Sequence, residues 1–267
     1  MIPTSAARRV RQAPFHDAGH GYDVFGLHPP TVATALASAA PLYERYFRVD
    51  SQGVERIPST GAAILVANHG GALPVDAAML CLDVLRRTEP PRIARPITDH
   101  FVGRLPIIST LFARLGAVNG TAINVRALLE GDELVVIFPE GVAGPAKPFR
   151  DRYTLRRWCV GFAALAMQHR VPVVPVAIVG AEESWPVVAR LRKLRMFGAP
   201  YLPVVATPLP LPTHYHIRYG APLQLDRGLP KISLENPEVI ANAADEVKRA
   251  VERLLADTLR DRQGAFR

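Results

Sequence analysis

Short uninterrupted apolar runs alternate with amphipathic stretches along this chain. The runs at 62–67, 134–138 and 171–180 read as buried strands, because a run of about four to eight apolar residues bounded by turn signals suits a strand covered on both faces. Between them lie stretches with helical periodicity. One spans 31–47 with a break at Pro41, another 74–87, and a third 99–115. Pro74 suits a first helical position, where its missing N–H costs nothing. Further helices are predicted at 121–130, capped by Thr121, at 155–170, and at 237–262. Shorter strands are expected at 92–96 and 214–219, and a strand pair at 48–57 turning near Ser51, Gln52 and Gly53. This alternation predicts an α/β fold with a largely parallel central sheet flanked by helices. Reactive groups in such folds collect at the carboxyl ends of the strands.

Composition narrows the class. The chain has 267 residues, 49% hydrophobic and 21% charged, which suits a globular protein. Residues 29–267 are expected to form one domain. Residues 1–28 carry Arg8, Arg9 and Arg11 without an apolar core, so they read as a flexible basic arm rather than a secretory signal. Cys81 and Cys159 both fall in apolar helical patterns and read as buried reduced thiols. The net charge of +8 favours nucleic acid, an anionic membrane or an anionic ligand. Zinc-finger spacing and RNP-type aromatics are both missing, which argues against nucleic acid. No run reaches the roughly 20 apolar residues of a spanning helix.

The chemistry concentrates at two turns. His69 directly follows the apolar run 62–67, with Gly70 and Gly71 behind it and Asp76 at the start of the next helix. An imidazole whose tautomer is fixed by a carboxylate is a general-base arrangement. An ordinary turn histidine near an acid-favouring helix start has the same pattern. The second turn, Phe138-Pro139-Glu140-Gly141, follows the run at 134–138. The other histidines are weaker candidates. His100 starts a helix, His169 suits a helix C-terminus, and His214 with His216 is too small a set for a metal site. No Gly-x-Ser-x-Gly elbow supports a serine hydrolase.

The order His69…Asp76, then Phe138-Pro139-Glu140-Gly141, then the valine- and proline-rich strand at 171–180 resembles the glycerolipid and lysophospholipid acyltransferases, the PlsC-like superfamily. The resemblance runs from about 48 to 222. Two departures stand out. Six residues separate His69 from Asp76, more than the usual family spacing, as in a branch that includes diacylglycerol-synthesising members. The family's second block usually has an arginine soon after a glycine; here none follows Gly116 until Arg126, so a phosphorylated acceptor is not implied.

The resemblance implies acyl transfer from acyl-CoA or acyl carrier protein to a lipid hydroxyl, with no further cofactor. His69 would be the base, Asp76 its orienting partner, and the amides of Gly70 and Gly71 donors to the oxyanion. Phe138, Pro139, Glu140 and Gly141 would shape the acceptor site, with Lys147, Arg150 and Arg152 neutralising phosphates. In 181–212, Arg190, Arg192, Lys193 and Arg195 alternate with apolar residues including Phe197. That pattern predicts a basic amphipathic helix on a membrane surface, and so a cytoplasmic protein peripheral on the inner face. The competing reading is an inactive lipid-binding protein of the same fold.

Overall fold

The computed structural model describes residues 3–71, 73–145, 147–191, 202–230 and 236–266. In chain order these form α1 (Thr4–Gln12), α2 (Pro29–Ser38), β1 (Asp50–Gln52), β2 (Ala63–Ala67), α3 (Val75–Arg87), β3 (Ala94–Thr98), α4 (Ile108–Arg114), β4 (Val118–Asn119), α5 (Ala122–Glu130), β5 (Leu134–Ile137), α6 (Gly161–His169), β6 (Val173–Val179), α7 (Ala181–Ser184), β7 (Val187–Leu191), β8 (Leu202–Val205), β9 (His216–Tyr219) and α8 (Pro237–Asp261). Among these, seven strands make one sheet in the order β1-β9-β6-β2-β5-β3-β4. Every pairing is parallel except β6 with β9.

All positions of β2, β5 and β6 are buried. Ile64, Val66, Val135 and Val173 face a layer built by α5, α6 and α8. Ala63, Leu65, Val136 and Val174 face α3 and the π-helical turn Leu42–Tyr46. Covering both faces is what turns alternating patterns into continuous apolar runs. On the α3 side, the buried Asp83 carboxylate accepts hydrogen bonds from Tyr43, Ser51 and Tyr219, tying the edge strand β1 and its neighbour β9 to the helix.

Several elements differ from the sequence expectation. The predicted strand pair at 48–57 is a single strand, β1, which pairs in parallel with β9. Gly53, at φ 84°, turns the chain into the 3₁₀ turn Val54–Arg56 instead of a hairpin. The helix expected at 99–115 is reduced to α4, with a 3₁₀ turn at Val102–Arg104 and Pro106 before it. The helix expected at 155–170 begins only at Gly161, because the preceding backbone is bonded elsewhere: Arg156 N–H to Glu140 and Cys159 N–H to Pro139. Of the expected basic helix carried by Arg190, Arg192, Lys193, Arg195 and Phe197, only Arg190 is described, in β7, which pairs antiparallel with β8; the other four lie outside the described residues. Val187 pairs with Val205 there, and β-branched residues favour strands.

The N-terminal segment is also not a loose arm. Ala6, Val10 and Ala13 lie at helical spacing and are buried against α2 and Leu85. Arg9 donates to the carbonyls of Leu85 and Thr88, capping the end of α3. Replacing Val10, only 3% exposed, with Asp should therefore lower stability by at least about 2 kcal/mol. Urea unfolding checks this, and an unchanged midpoint would mean that α1 is not docked.

Candidate active site

The site begins where β2 ends. Asn68, next to Ala67, reaches to β6: its Nδ2 donates to Ile178 O at 2.9 Å and its Oδ1 accepts from Ile178 N–H at 2.8 Å. The amide side chain replaces a strand backbone in the ladder and lets the chain turn. His69 comes next, then Gly70 and Gly71, the latter at φ 87°, where glycine is favoured. Gly70 has no room for a side chain: a Cβ there would lie 2.2 Å from Glu182 Cγ. Pro74 occupies the cap position of α3 rather than its first turn, and Asp76 sits in that first turn.

The turn brings the two predicted residues together. His69 Nδ1 lies 2.7 Å from Asp76 Oδ2. The same oxygen accepts from Gly70 N–H at 2.9 Å, while Oδ1 accepts from Ala77 N–H at 2.8 Å. An ionised carboxylate only accepts, so Nδ1 carries the proton and Nε2 keeps the lone pair. The Asp76 side chain is fully buried and that of His69 is 16% exposed. The Phe138 ring packs against the imidazole with centroids 4.5 Å apart. The result is an imidazole with one face on an aromatic ring and one nitrogen fixed, an arrangement suited to a general base.

Burial pulls the His69 pKa down, but the charge and hydrogen bond of Asp76, helped by Glu140, more than offset it. The net shift is upward from the ordinary 6.5. Such a raised value favours the folded state below the unfolded pKa. That contribution disappears as pH rises through the folded one.

Glu140 is bonded inside the protein. It is buried, its Oε1 accepts from His69 N–H at 3.2 Å, and its Oε2 accepts from Arg156 N–H at 2.8 Å. Lys147, expected to neutralise a phosphate, is likewise committed. Its side chain is 1% exposed, with Nζ 3.3 Å from Glu140 and 2.9 Å from Glu182. Arg152 lies 3.8 Å from Glu183 and over the Phe149 ring, whereas Arg150 points to solvent. Pro139 is buried, and Gly141 closes the turn by donating to Phe138 O. Gly70 cannot serve an oxyanion, because its N–H is held by Asp76.

Arg192, Lys193, Arg195 and Phe197 lie outside the described residues, and Arg190 is described only as part of the β7 backbone. His100 is exposed in a turn, and His169 occupies the last turn of α6. The His214 and His216 rings pack tilted with centroids 4.4 Å apart, and His216 Nδ1 lies 3.4 Å from Asp50. Among the described residues no group of three potential ligands could hold a metal. Cys81 is partly buried, its thiol pKa pushed up to about 12 by burial and by Asp76. Cys159, expected inside, is exposed, because 155–160 is not helical.

Asn68, Arg156 and Glu182 belong to the site without having been assigned a role from sequence. Two acids shortly after the buried β6, past Gly180 and Ala181, were the available signal for Glu182.

Comparison with known proteins gives a consistent pattern. Residues 48–179 match the acyltransferase family. An uncharacterized protein of Mycobacterium tuberculosis is 34% identical over 260 residues, 92% of this chain and 72% of the relative. A human protein named "DGAT1/2-independent enzyme synthesizing storage lipids" is 28% identical over 233 residues, 84% of this chain and 65% of that protein. The crystal structure of the 1-acyl-sn-glycerophosphate acyltransferase PlsC from Thermotoga maritima has a TM-score of 0.57 at 17% identity, covering 87% of this chain and 81% of that one. At that identity the likeness is one of fold.

Replacing Asp76 with Asn removes the charge that outweighs desolvation, so the His69 pKa should fall. Titration of the ring resonances by NMR measures this. An unchanged pKa would mean that Asp76 does not control the imidazole.

Proposed function

This chain belongs to the acyltransferase family, and on that premise we propose that it moves a fatty acyl group from a thioester donor, acyl-CoA or acyl carrier protein, to the hydroxyl of a glycerolipid. The observation carrying this reading is the 2.7 Å contact between His69 Nδ1 and the buried Asp76. In the proposed reaction the acceptor oxygen attacks the thioester carbonyl and gives its proton to His69 Nε2. The tetrahedral intermediate collapses, the C–S bond breaks, and the imidazolium returns the proton to the leaving thiolate. Asp76 stabilises the imidazolium, as the third member of a catalytic triad does. General-base assistance of this kind is worth about 10²–10⁴-fold. With Gly70 N–H occupied, the amide of Gly71 is the proposed donor to the oxyanion.

A neutral glyceride alcohol is the favoured acceptor. No arginine follows Gly116 until Arg126, and Lys147 is tied up in ion pairs. The human relative's name, which mentions storage lipids, agrees with this choice.

We further place the protein at a lipid surface. Among the described residues no helix is long and apolar enough to cross a membrane. Leu73, Ile108 and Leu111 are exposed, and Ile107 is 84% exposed. All four follow the carboxyl ends of β2 or β3, the same edge of the sheet as His69. Exposed Arg104 and Arg114 flank them, an arrangement suited to anionic lipid.

Thiol release from acyl-CoA with monoacylglycerol and diacylglycerol acceptors tests the central reading. Wild type should release thiol and His69→Ala should not, while remaining folded. Thiol release by the His69→Ala variant would remove the base. No release by wild type with any acceptor or donor would favour the inactive lipid-binding alternative. The double substitution Ile107→Asp with Leu111→Asp should weaken co-sedimentation with anionic liposomes several-fold. Unchanged sedimentation would move the lipid contact away from this edge.

A further inference from the structure

Beneath the His69 turn lies a buried chain of charges that the reaction does not itself require. Glu140 accepts from His69 N–H and from Arg156 N–H. Lys147 Nζ bridges Glu140, at 3.3 Å, to Glu182 Oε1, at 2.9 Å. Glu182 Oε2 accepts from Tyr153 N–H at 3.0 Å. The three side chains are 0%, 1% and 6% exposed. Ion pairs this deep carry a large desolvation cost and often contribute little net stability, so their presence calls for another role.

The base of this arrangement is tied to the rest of the fold by side-chain bonds. Glu182 lies on α7, the four-residue helix that directly follows β6. Its neighbour Glu183 takes a bidentate pair from Arg262, at 2.6 and 2.7 Å, at the end of α8. Ser184 Oγ lies 2.9 Å from Tyr215 OH. From this pedestal Glu182 touches the turn twice. Its Cγ fills the space where Gly70 has no side chain, and its carboxylate holds the Lys147 that holds Glu140.

We propose that Glu182 is a positioning residue for His69, acting through the Glu140–Lys147–Glu182 triad to set both the place of the imidazole and its readiness to accept a proton. The proposal rests on His69 being the base. The charges facing the imidazole are Asp76 on α3, with Cys81 and Tyr215 beside that carboxylate, and Glu140 and Lys147 on the loop after β5. Glu182 faces Lys147 and Glu140 from α7. Glu140 favours the imidazolium and Lys147 opposes it, and Glu182, paired with Lys147, offsets that opposition. Burial pushes the Glu182 carboxyl up, while Lys147 opposes that push.

Glu182→Gln tests the idea. Glutamine keeps the shape and an oxygen for Tyr153 N–H but removes the charge. By NMR, the His69 pKa in the folded variant should fall by at least about half a unit. The acid limb of kcat/KM for thiol release should move to lower pH by the same amount, with kcat reduced about tenfold. A His69 titration and pH profile that superimpose on wild type would overturn the proposal, even if the variant melts earlier. If Glu182→Gln does not fold, Glu182→Asp serves, because it keeps the charge but shortens the reach to Lys147. In that variant kcat should fall while the limb stays near its wild-type pH; an unchanged kcat would overturn the proposal. The NMR titration needs no turnover, so it separates a failure here from a failure of the acyl-transfer reading.

Discussion

Asp76 is a carboxylate with no exposure to water, and the geometry of the site follows from satisfying it. A buried ionised acid must be hydrogen-bonded or it gives up its charge. Here three donors converge on it: the His69 ring and the backbone amides of Gly70 and Ala77. Two of the three belong to the enlarged loop between β2 and α3. The carboxylate therefore folds the loop back on itself and fixes the ring in one tautomer. The six residues between His69 and Asp76 do not separate the pair; they form the arc that the carboxylate closes.

The same edge of the sheet gathers most of the buried charge described above. Glu140, Lys147 and Glu182 stand at the ends of β5 and β6, adjacent to β2 on either side. Parallel strands deliver their carboxyl ends to one edge, so short turns after three neighbouring strands meet without a long excursion of the chain. The motif glutamate thus spends its oxygens on backbone amides of the site instead of facing solvent. That explains why 155–160 is not helical: the helix predicted by its periodicity would withdraw the Arg156 and Cys159 amides from the Phe138–Gly141 turn.

What could be read from the sequence follows the same division. The buried strands β2, β5 and β6 were legible because parallel burial writes itself as an unbroken apolar run. The His69–Asp76 pair was legible because a strand, a glycine turn and a helix start fix its approximate geometry. The pairing of Lys147 with Glu140 and Glu182 was not legible, since nothing in a linear pattern separates a solvent-facing cation from one paired with carboxylates many residues away. Val10 and Ala6 were hidden by the arginines around them, although their spacing is helical. The β7–β8 pairing depends on residues 187 and 205 finding each other, which no local period reports.

The central claim is that His69 Nε2 takes the acceptor's proton while the acyl carbonyl stands beside the turn. A crystal structure with a non-hydrolysable thioether analogue of acyl-CoA and an acceptor alcohol addresses it most directly. The account predicts the acceptor hydroxyl about 2.6–3.2 Å from His69 Nε2 and about 3–3.5 Å from the analogue's reacting carbon. An acceptor bound beyond reach of His69, or a reacting carbon lodged away from the Gly70–Gly71 turn, would contradict it.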